Sequence, residues 1–179
     1  LLSGTNTVSS DILISDNEFL GNDVDPGGSH PDGVQFGGYG PDSVIPHYRG
    51  LYSFSNVVIA RNRFAGNWPY GGTAMTFFGE GVGGAKIYNN QWAFDNTTDS
   101  AATYLFSPGF LYVYRSDRLE IYNNTFSSDA NWSTNKGARD GVVVGAGVTN
   151  VNIRNNVFSR VEFCANLASM STTNGLVLD

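Results

Sequence analysis

Arg118–Phe126 reads RLEIYNNTF, and the same pattern occurs four more times, as DILISDNEF at Asp11–Phe19, NVVIARNRF at Asn56–Phe64, AKIYNNQW at Ala85–Trp92 and NVNIRNNVF at Asn150–Phe158. Each copy alternates apolar residues, then places an Asn (Asn17, Asn62, Asn90, Asn124 or Asn156), one further residue and an aromatic (Phe19, Phe64, Trp92, Phe126 or Phe158). Apolar alternation at period two is the mark of a strand with one face in a core. The Asn residues are spaced 45, 28, 34 and 32 positions apart. A pattern returning at such intervals belongs to a chain that stacks similar units on one another.

Between the copies lies a second series of strands, each introduced by Gly: Gly33–Phe36, Gly72–Phe77, Gly109–Tyr114, Gly141–Val144 and Gly175–Leu178. One unit then reads as a Gly-led strand, a connection, an Asn-repeat strand, a sharp Asn bend, a short aromatic strand and a long loop. No segment carries a helical stripe of useful length, Ala165–Met170 being the nearest. Two-residue hairpin signals are missing as well, which argues against a sandwich. The expectation is an all-β parallel solenoid of about five coils, with an Asn ladder at one bend and long loops on one edge. At the bend, Asn is suited to left-handed φ, and stacked Asn side chains can hydrogen-bond from coil to coil. The aromatics would form a second ladder inside.

Composition narrows the functional classes. The chain has 179 residues, enough for a single domain with a sizeable core. Ten Lys and Arg against sixteen Asp and Glu give a net charge of −6, with no basic run, so no nucleic-acid footprint is present. No apolar run is long enough to span a bilayer as a helix. Cys164 is the only cysteine, which excludes an internal disulfide and suggests a small buried filler between Phe163 and Ala165. Leu1–Gly4 shows no signal-peptide pattern, the chain opens without Met, and it closes on an apolar strand-like run. Stacked repeats need polar caps, so residues 1–179 are expected to be the ordered part or a fragment of a longer protein. The low charge fraction suits an extracellular, cell-surface or virion-surface setting.

The five Asn–x–aromatic bends and the interleaved Gly-led strands, which together cover nearly the whole chain, resemble the right-handed parallel β-helix, or pectate-lyase-like, superfamily. That resemblance implies a carbohydrate-binding groove lined by the Gly-led strands and walled by long loops. The superfamily includes polysaccharide lyases, pectin-type hydrolases, mannuronan epimerases and phage tailspikes, so the resemblance specifies the fold more sharply than the activity.

The connections before the Gly-led strands are long (Asn22–Asp32, Thr97–Pro108, Ala130–Asp140 and Cys164–Asn174), and those after them are mostly short, Gly37–Ser53 excepted. Loops grouped on one edge of a regular scaffold are where binding residues collect. The densest is Asp23–Gln35, which brings His30, Asp32 and Gln35 to the mouth of the first Gly-led strand. With Val34 and Phe36 pointing in, Gln35 points onto the groove face. Asp32 suits an acid, base or cation ligand and His30 a proton shuttle, whereas the bland alternative is an ordinary Asp-Gly turn like Asp140-Gly141. Asp23, Asp25 and Asp32 offer hard oxygen ligands for Ca²⁺, although a solvated acidic loop explains them more simply. Gly79–Gly84 lacks the Lys-Ser/Thr of a phosphate loop and reads as a tight turn.

Further groove candidates are Tyr112, Tyr114 and Arg115 on the third Gly-led strand, and Lys136, Arg139 and Asp140 before the fourth; His47, Tyr48, Arg49, Trp68 and Tyr70 lie in other loops. Aromatic faces with a few polar groups suit sugar rings. The tyrosines are expected to face out, with Leu111 and Val113 in the core.

Two functions compete. A lyase or epimerase abstracts a proton beside a uronate carboxylate, with His30 or Tyr112 as base and Arg115, Arg139 or Arg49 as neutraliser; His30, Asp32 and Arg115 are the catalytic candidates, and Gln35, Tyr112, Tyr114, Arg139 and Asp140 the substrate-binding ones. Hydrolysis is less favoured, because Asp32 and Asp140 would stand about 14 Å apart by coil stacking. The alternative is a non-catalytic glycan-binding or structural module, such as part of a tailspike or adhesin, in which a homotrimer would follow from the tailspike reading.

Overall fold

The computed structural model describes residues 2–3, 9–21, 33–37, 53–66, 74–78, 81–94, 109–128, 140–161, 163–167 and 177–179. Every regular element among them is a strand: β1 (Leu2–Ser3), β2 (Ser9–Ser15), β3 (Glu18–Gly21), β4 (Val34–Gly37), β5 (Phe54–Ala60), β6 (Arg63–Gly66), β7 (Ala74–Phe78), β8 (Val82–Tyr88), β9 (Gln91–Phe94), β10 (Gly109–Val113), β11 (Asp117–Tyr122), β12 (Thr125–Ser128), β13 (Asp140–Val144), β14 (Thr149–Arg154), β15 (Val157–Ser159), β16 (Phe163–Asn166) and β17 (Val177–Leu178).

Each strand pairs in parallel with the strand three places away in the chain, and three sheets result. Sheet A runs β1-β4-β7-β10-β13-β16, sheet B β2-β5-β8-β11-β14-β17 and sheet C β3-β6-β9-β12-β15. The first four Gly-led runs lie in sheet A as β4, β7, β10 and β13, the apolar alternating halves of the repeat form most of sheet B, and the residues after the Asn bend form sheet C. Parallel pairing of this kind needs no hairpins, in keeping with the absence of hairpin signals.

The bend between sheets B and C rests on the five repeat Asn residues. Asn62 Oδ1 accepts from the backbone N–H of Asn17 at 3.0 Å and from its Nδ2 at 3.1 Å. Asn90 Oδ1 accepts from Asn62 N and Nδ2 in the same way, Asn124 from Asn90, and Asn156 from Asn124. The second hydrogen of each Nδ2 reaches the carbonyl of Ile14, Ile59, Ile87 or Ile121, at 2.8–2.9 Å. Asn62, Asn90 and Asn124 are buried, yet all their amide groups are used. The expected Asn ladder between successive repeats is therefore present, with one correction. Left-handed φ belongs to the residue before each ladder Asn: Asp16 (60°), Arg61 (56°), Asn89 (55°), Asn123 (54°) and Asn155 (52°). These positions are exposed, so they impose a backbone shape while the next residue supplies the buried amide.

Two residues further on, the aromatic ladder fills the core. Phe19, Phe64, Trp92, Phe126 and Phe158 stack with centroids 4.7, 5.2, 4.8 and 5.0 Å apart and planes within 8° of parallel. The spacing matches that of adjacent strands, so strand pairing and ring stacking share one repeat distance. Phe36, Phe54, Ile59, Ile87, Phe110, Leu119 and Ile121 complete a fully buried apolar interior.

Three local expectations change at the C-terminal end. The Gly-led run at 175–178 yields β17, which pairs with β14 in sheet B and not with sheet A. The last strand of sheet A is β16, in the region read as a weak helical stripe within a long loop; it pairs with β13 and follows β15 closely. Cys164, on β16, is exposed rather than a buried filler, because this strand ends its sheet and its neighbour Phe163 is also exposed.

The division of labour at the bend has a measurable outcome. Asn90→Ala strands the Asn62 donors and the Ile59 carbonyl in the interior and should cost about 2–4 kcal/mol in chemical denaturation. Asn89→Gly, on the exposed left-handed residue one position earlier, should stay within about 0.5 kcal/mol of the parent.

Candidate functional site

One row of register partners crosses five strands of sheet A. Gln35 is in register with Phe77, Phe77 with Tyr112, Tyr112 with Val143, and Val143 with Asn166. Gln35, Tyr112, Val143 and Asn166 are half-buried, whereas Leu111, Val113, Val142 and Val144 are buried. Tyr112 and Tyr114 thus stand on the outer side with Leu111 and Val113 inside, as the alternation argument requires. Phe110 is buried as well, next to Leu111, and its ring packs 6.0 Å from that of Phe126.

Around Tyr112 the site is made by what neighbouring residues lack. Gly145 follows β13, and its N–H donates to the carbonyl of Val113 at 2.8 Å. A Cβ placed on Gly145 would lie 2.5 Å from the Tyr114 ring and 3.2 Å from the Tyr112 hydroxyl. Both tyrosines therefore lean over a bare stretch of backbone. Arg115 follows directly; its guanidinium carbon sits 5.1 Å from the centroid of the Tyr114 ring. Its backbone turns the corner from sheet A to sheet B with φ of 43°, between Gly81 at 80° and Gly147 at 73° in adjacent rounds. The Arg115 side chain crosses Gly147, where a Cβ would come within 3.0 Å of Arg115 Cγ. Gly145 and Gly147 were not among the sequence candidates; their signal was the short Gly-Ala-Gly connection, readable only once its neighbours were known.

Burial pushes the Tyr112 phenol above its ordinary value of 10.0, and the neighbouring Tyr114 acts in the same direction. At neutral pH the hydroxyl is protonated. It can donate a hydrogen bond to a ligand oxygen, but it is moved away from the role of general base.

Asp140 stands elsewhere. It opens β13, opposite Gly109 on one side and Phe163 on the other, and accepts a hydrogen bond from Asn166 Nδ2 at 3.1 Å. Arg115 lies beyond the other end of these strands, roughly 20 Å away along the strand direction. Gln35 shares the row of Tyr112 two strands away, about 10 Å off. Gly33, which precedes β4, likewise lies at the opposite strand end from Arg115. His30, Asp32 and Arg139 lie outside the described residues, as do Asp23, Asp25, His47, Tyr48, Arg49, Trp68, Tyr70 and Lys136. The Ca²⁺ expectation falls in that group; among the described residues no three His, Cys, Asp or Glu side chains cluster to hold a metal ion.

The cluster that is brought together is thus Tyr112, Tyr114 and Arg115 above Gly145 and Gly147. It offers a phenol donor, an aromatic ring and a cation on a bare backbone shelf, which is equipment for holding a polar ring compound.

No family model matches the chain, and no curated protein or solved structure is significantly similar to it.

Two outcomes test this geometry. Gly145→Ala should displace the Tyr114 ring and cost about 1–3 kcal/mol in thermal or denaturant unfolding. In a difference-absorbance titration, Tyr112→Phe should remove a phenol that ionises above its usual range. Because its folded pKa is raised, Tyr112 supports the folded state below pH 10.0 and loses that support as pH rises through the folded value, so the same variant should show shallower alkaline destabilisation.

Proposed function

We propose that this chain is a carbohydrate-binding right-handed parallel β-helix of the pectate-lyase-like kind, with a glycan lying along the outer face of sheet A. The solenoid reading is supported by the fixed order in which the chain visits sheets A, B and C, and by parallel pairing at every step. The observation that carries the function is the placement of Tyr112 and Tyr114 over Gly145 with Arg115 at their side. A sugar ring has an apolar C–H face for the Tyr114 ring and hydroxyl or carboxylate oxygens for the Tyr112 hydroxyl and Arg115. Among the described residues the binding form is the better equipped, because Tyr112 is held protonated and suited to donate a hydrogen bond rather than to abstract a proton.

The enzymatic form of this reading is a polysaccharide lyase or epimerase. Arg115 would neutralise a uronate carboxylate there, and proton abstraction would fall to His30 with Asp32. A surface setting, on a cell or a virion, belongs to both forms, and a homotrimer to the tailspike variant.

A panel of uronate-containing and neutral polysaccharides separates the two. Retention on a polysaccharide affinity gel should fall about tenfold with Tyr114→Ala, the loss expected for one aromatic–sugar contact of about 1.4 kcal/mol. Absorbance from an unsaturated product should stay flat. Product formation that disappears in His30→Ala with Asp32→Asn would establish the lyase form, and failure to bind or turn over any member of the panel would remove the carbohydrate reading.

A further inference from the structure

Sheet B carries its own irregularity on the side away from the core. Near the start of its strands, one residue per round has left-handed φ: Asp11 (58°), Asn56 (50°), Arg118 (54°) and Asn150 (52°), with Gly84 at 118° in the middle round. The flanking register (Ile12 with Val57, Ser55 with Gly83, Val57 with Ala85, Ala85 with Leu119, Leu119 with Val151) puts these five positions in one line. Four of them bear polar side chains. Gly84 bears none, and the line is notched there.

The notch is an open depression of about 370 Å³ between Asn56 and Arg118, with Lys86 and Glu120 on its rim. It is large enough for one pyranose-sized ligand, at the small end of the range for ligand sites. A Cβ on Gly84 would meet nothing closer than Asn56 N at 3.8 Å and Arg118 Nε at 4.0 Å, so the space is real.

Its charges are set for an anion. The Arg118 guanidinium is fixed by Nη2 donating to the Gly83 carbonyl at 2.8 Å and Nη1 lying 3.2 Å from Asp117 Oδ2, which leaves Nε beside the notch. Asp117 does not cancel Arg118 alone, because its Oδ1 also takes hydrogen bonds from Thr149 Oγ1 and Asn150 Nδ2, both at 2.7 Å. Lys86 faces Val58 and Glu120 across the ladder, and Glu120 is the partner that proximity would give it. Glu120 instead pairs with Arg154 at 3.7 Å. Lys86 is exposed and makes no ion pair with any described residue.

We propose that the Gly84 notch is a binding site for a carboxylate-bearing sugar, with the carboxylate received by Lys86 and the Arg118 Nε–H and the ring resting on the Gly83–Gly84 backbone. The site is on a different sheet from Tyr112 and Tyr114, so it stands or falls separately from the sheet A groove.

Galacturonate is the probe, galactose its neutral control, and the backbone amide resonances of Ser55, Gly84 and Lys86 are the readout. Galacturonate should shift these resonances saturably while galactose leaves them in place. Lys86→Gln, a change on an exposed side chain, should weaken the response about fivefold with an unchanged thermal melt. An equal response to galactose, an unaltered affinity in Lys86→Gln, or shifts confined to residues on sheet A would each overturn the assignment. Tyr114→Ala should leave the galacturonate response intact, which separates this site from the other.

Discussion

A parallel stack of strands is held along its axis by hydrogen bonds that must all repeat at the same spacing, and the turn between two sheets is where that demand is hardest to meet. Backbone groups at a sharp bend lose their ladder partners, and in the interior they cannot turn to water. Here an Asn side chain supplies what the backbone gives up. Its Oδ1 takes two donors from the neighbouring round and its Nδ2 returns two hydrogens, one to the next amide and one to an Ile carbonyl. A shorter side chain cannot reach, an acid has no donor, and an apolar residue has neither. The rest of the fold follows from this alignment. Once the bends are in register, the aromatics two residues later fall on top of one another at strand spacing, and the core is filled by identical positions in successive rounds.

The left-handed residue beside each ladder Asn shows how two tasks are separated. One position accepts the unusual φ and faces solvent, where Asp16, Arg61, Asn89, Asn123 and Asn155 are all tolerated. The next has an ordinary φ, its amide is buried in the three inner copies, and only Asn occurs. The chemistry of the first is free, and nature of the side chain there reports on surface pairing, as in the Arg61–Asp16 ion pair at 2.6 Å. The Arg61 guanidinium lowers the pKa of Asp16 and the Asp16 carboxylate raises that of Arg61 through this contact, while both side chains stay about half open to solvent.

Most of this frame was legible in the sequence because the ladder residues are invariant within the chain itself: an Asn and an aromatic recur at fixed separation in each repeat. Alternation also placed Tyr112 and Tyr114 outside, since two β-branched or leucine side chains on an exposed face would have been the costlier register. The errors have a common origin. Asn-Asn pairs hide which member bends and which bonds, because both tasks favour Asn; the copies with Asp16 and Arg61 in first place held the answer. The last strands were misassigned because a Gly before an apolar run resembles its counterparts in sheet A, whereas sheet membership depends on position in the three-sheet cycle. The shelf under the tyrosines was illegible for a different reason. Gly145 matters through the absence of a side chain in the neighbouring round, and such absences acquire meaning only when rounds are laid side by side.

The ladder has one more property. Asn17 and Asn62 are separated by 45 residues and Asn62 and Asn90 by 28, yet both pairs meet at 3.1 Å. The bond is indifferent to the length of chain between its members, since closing a longer loop adds cost only logarithmically. Insertions and deletions can accumulate in the connections while every core contact stays in place, so the part of this molecule that meets its surroundings can be rewritten without the part that folds it being consulted.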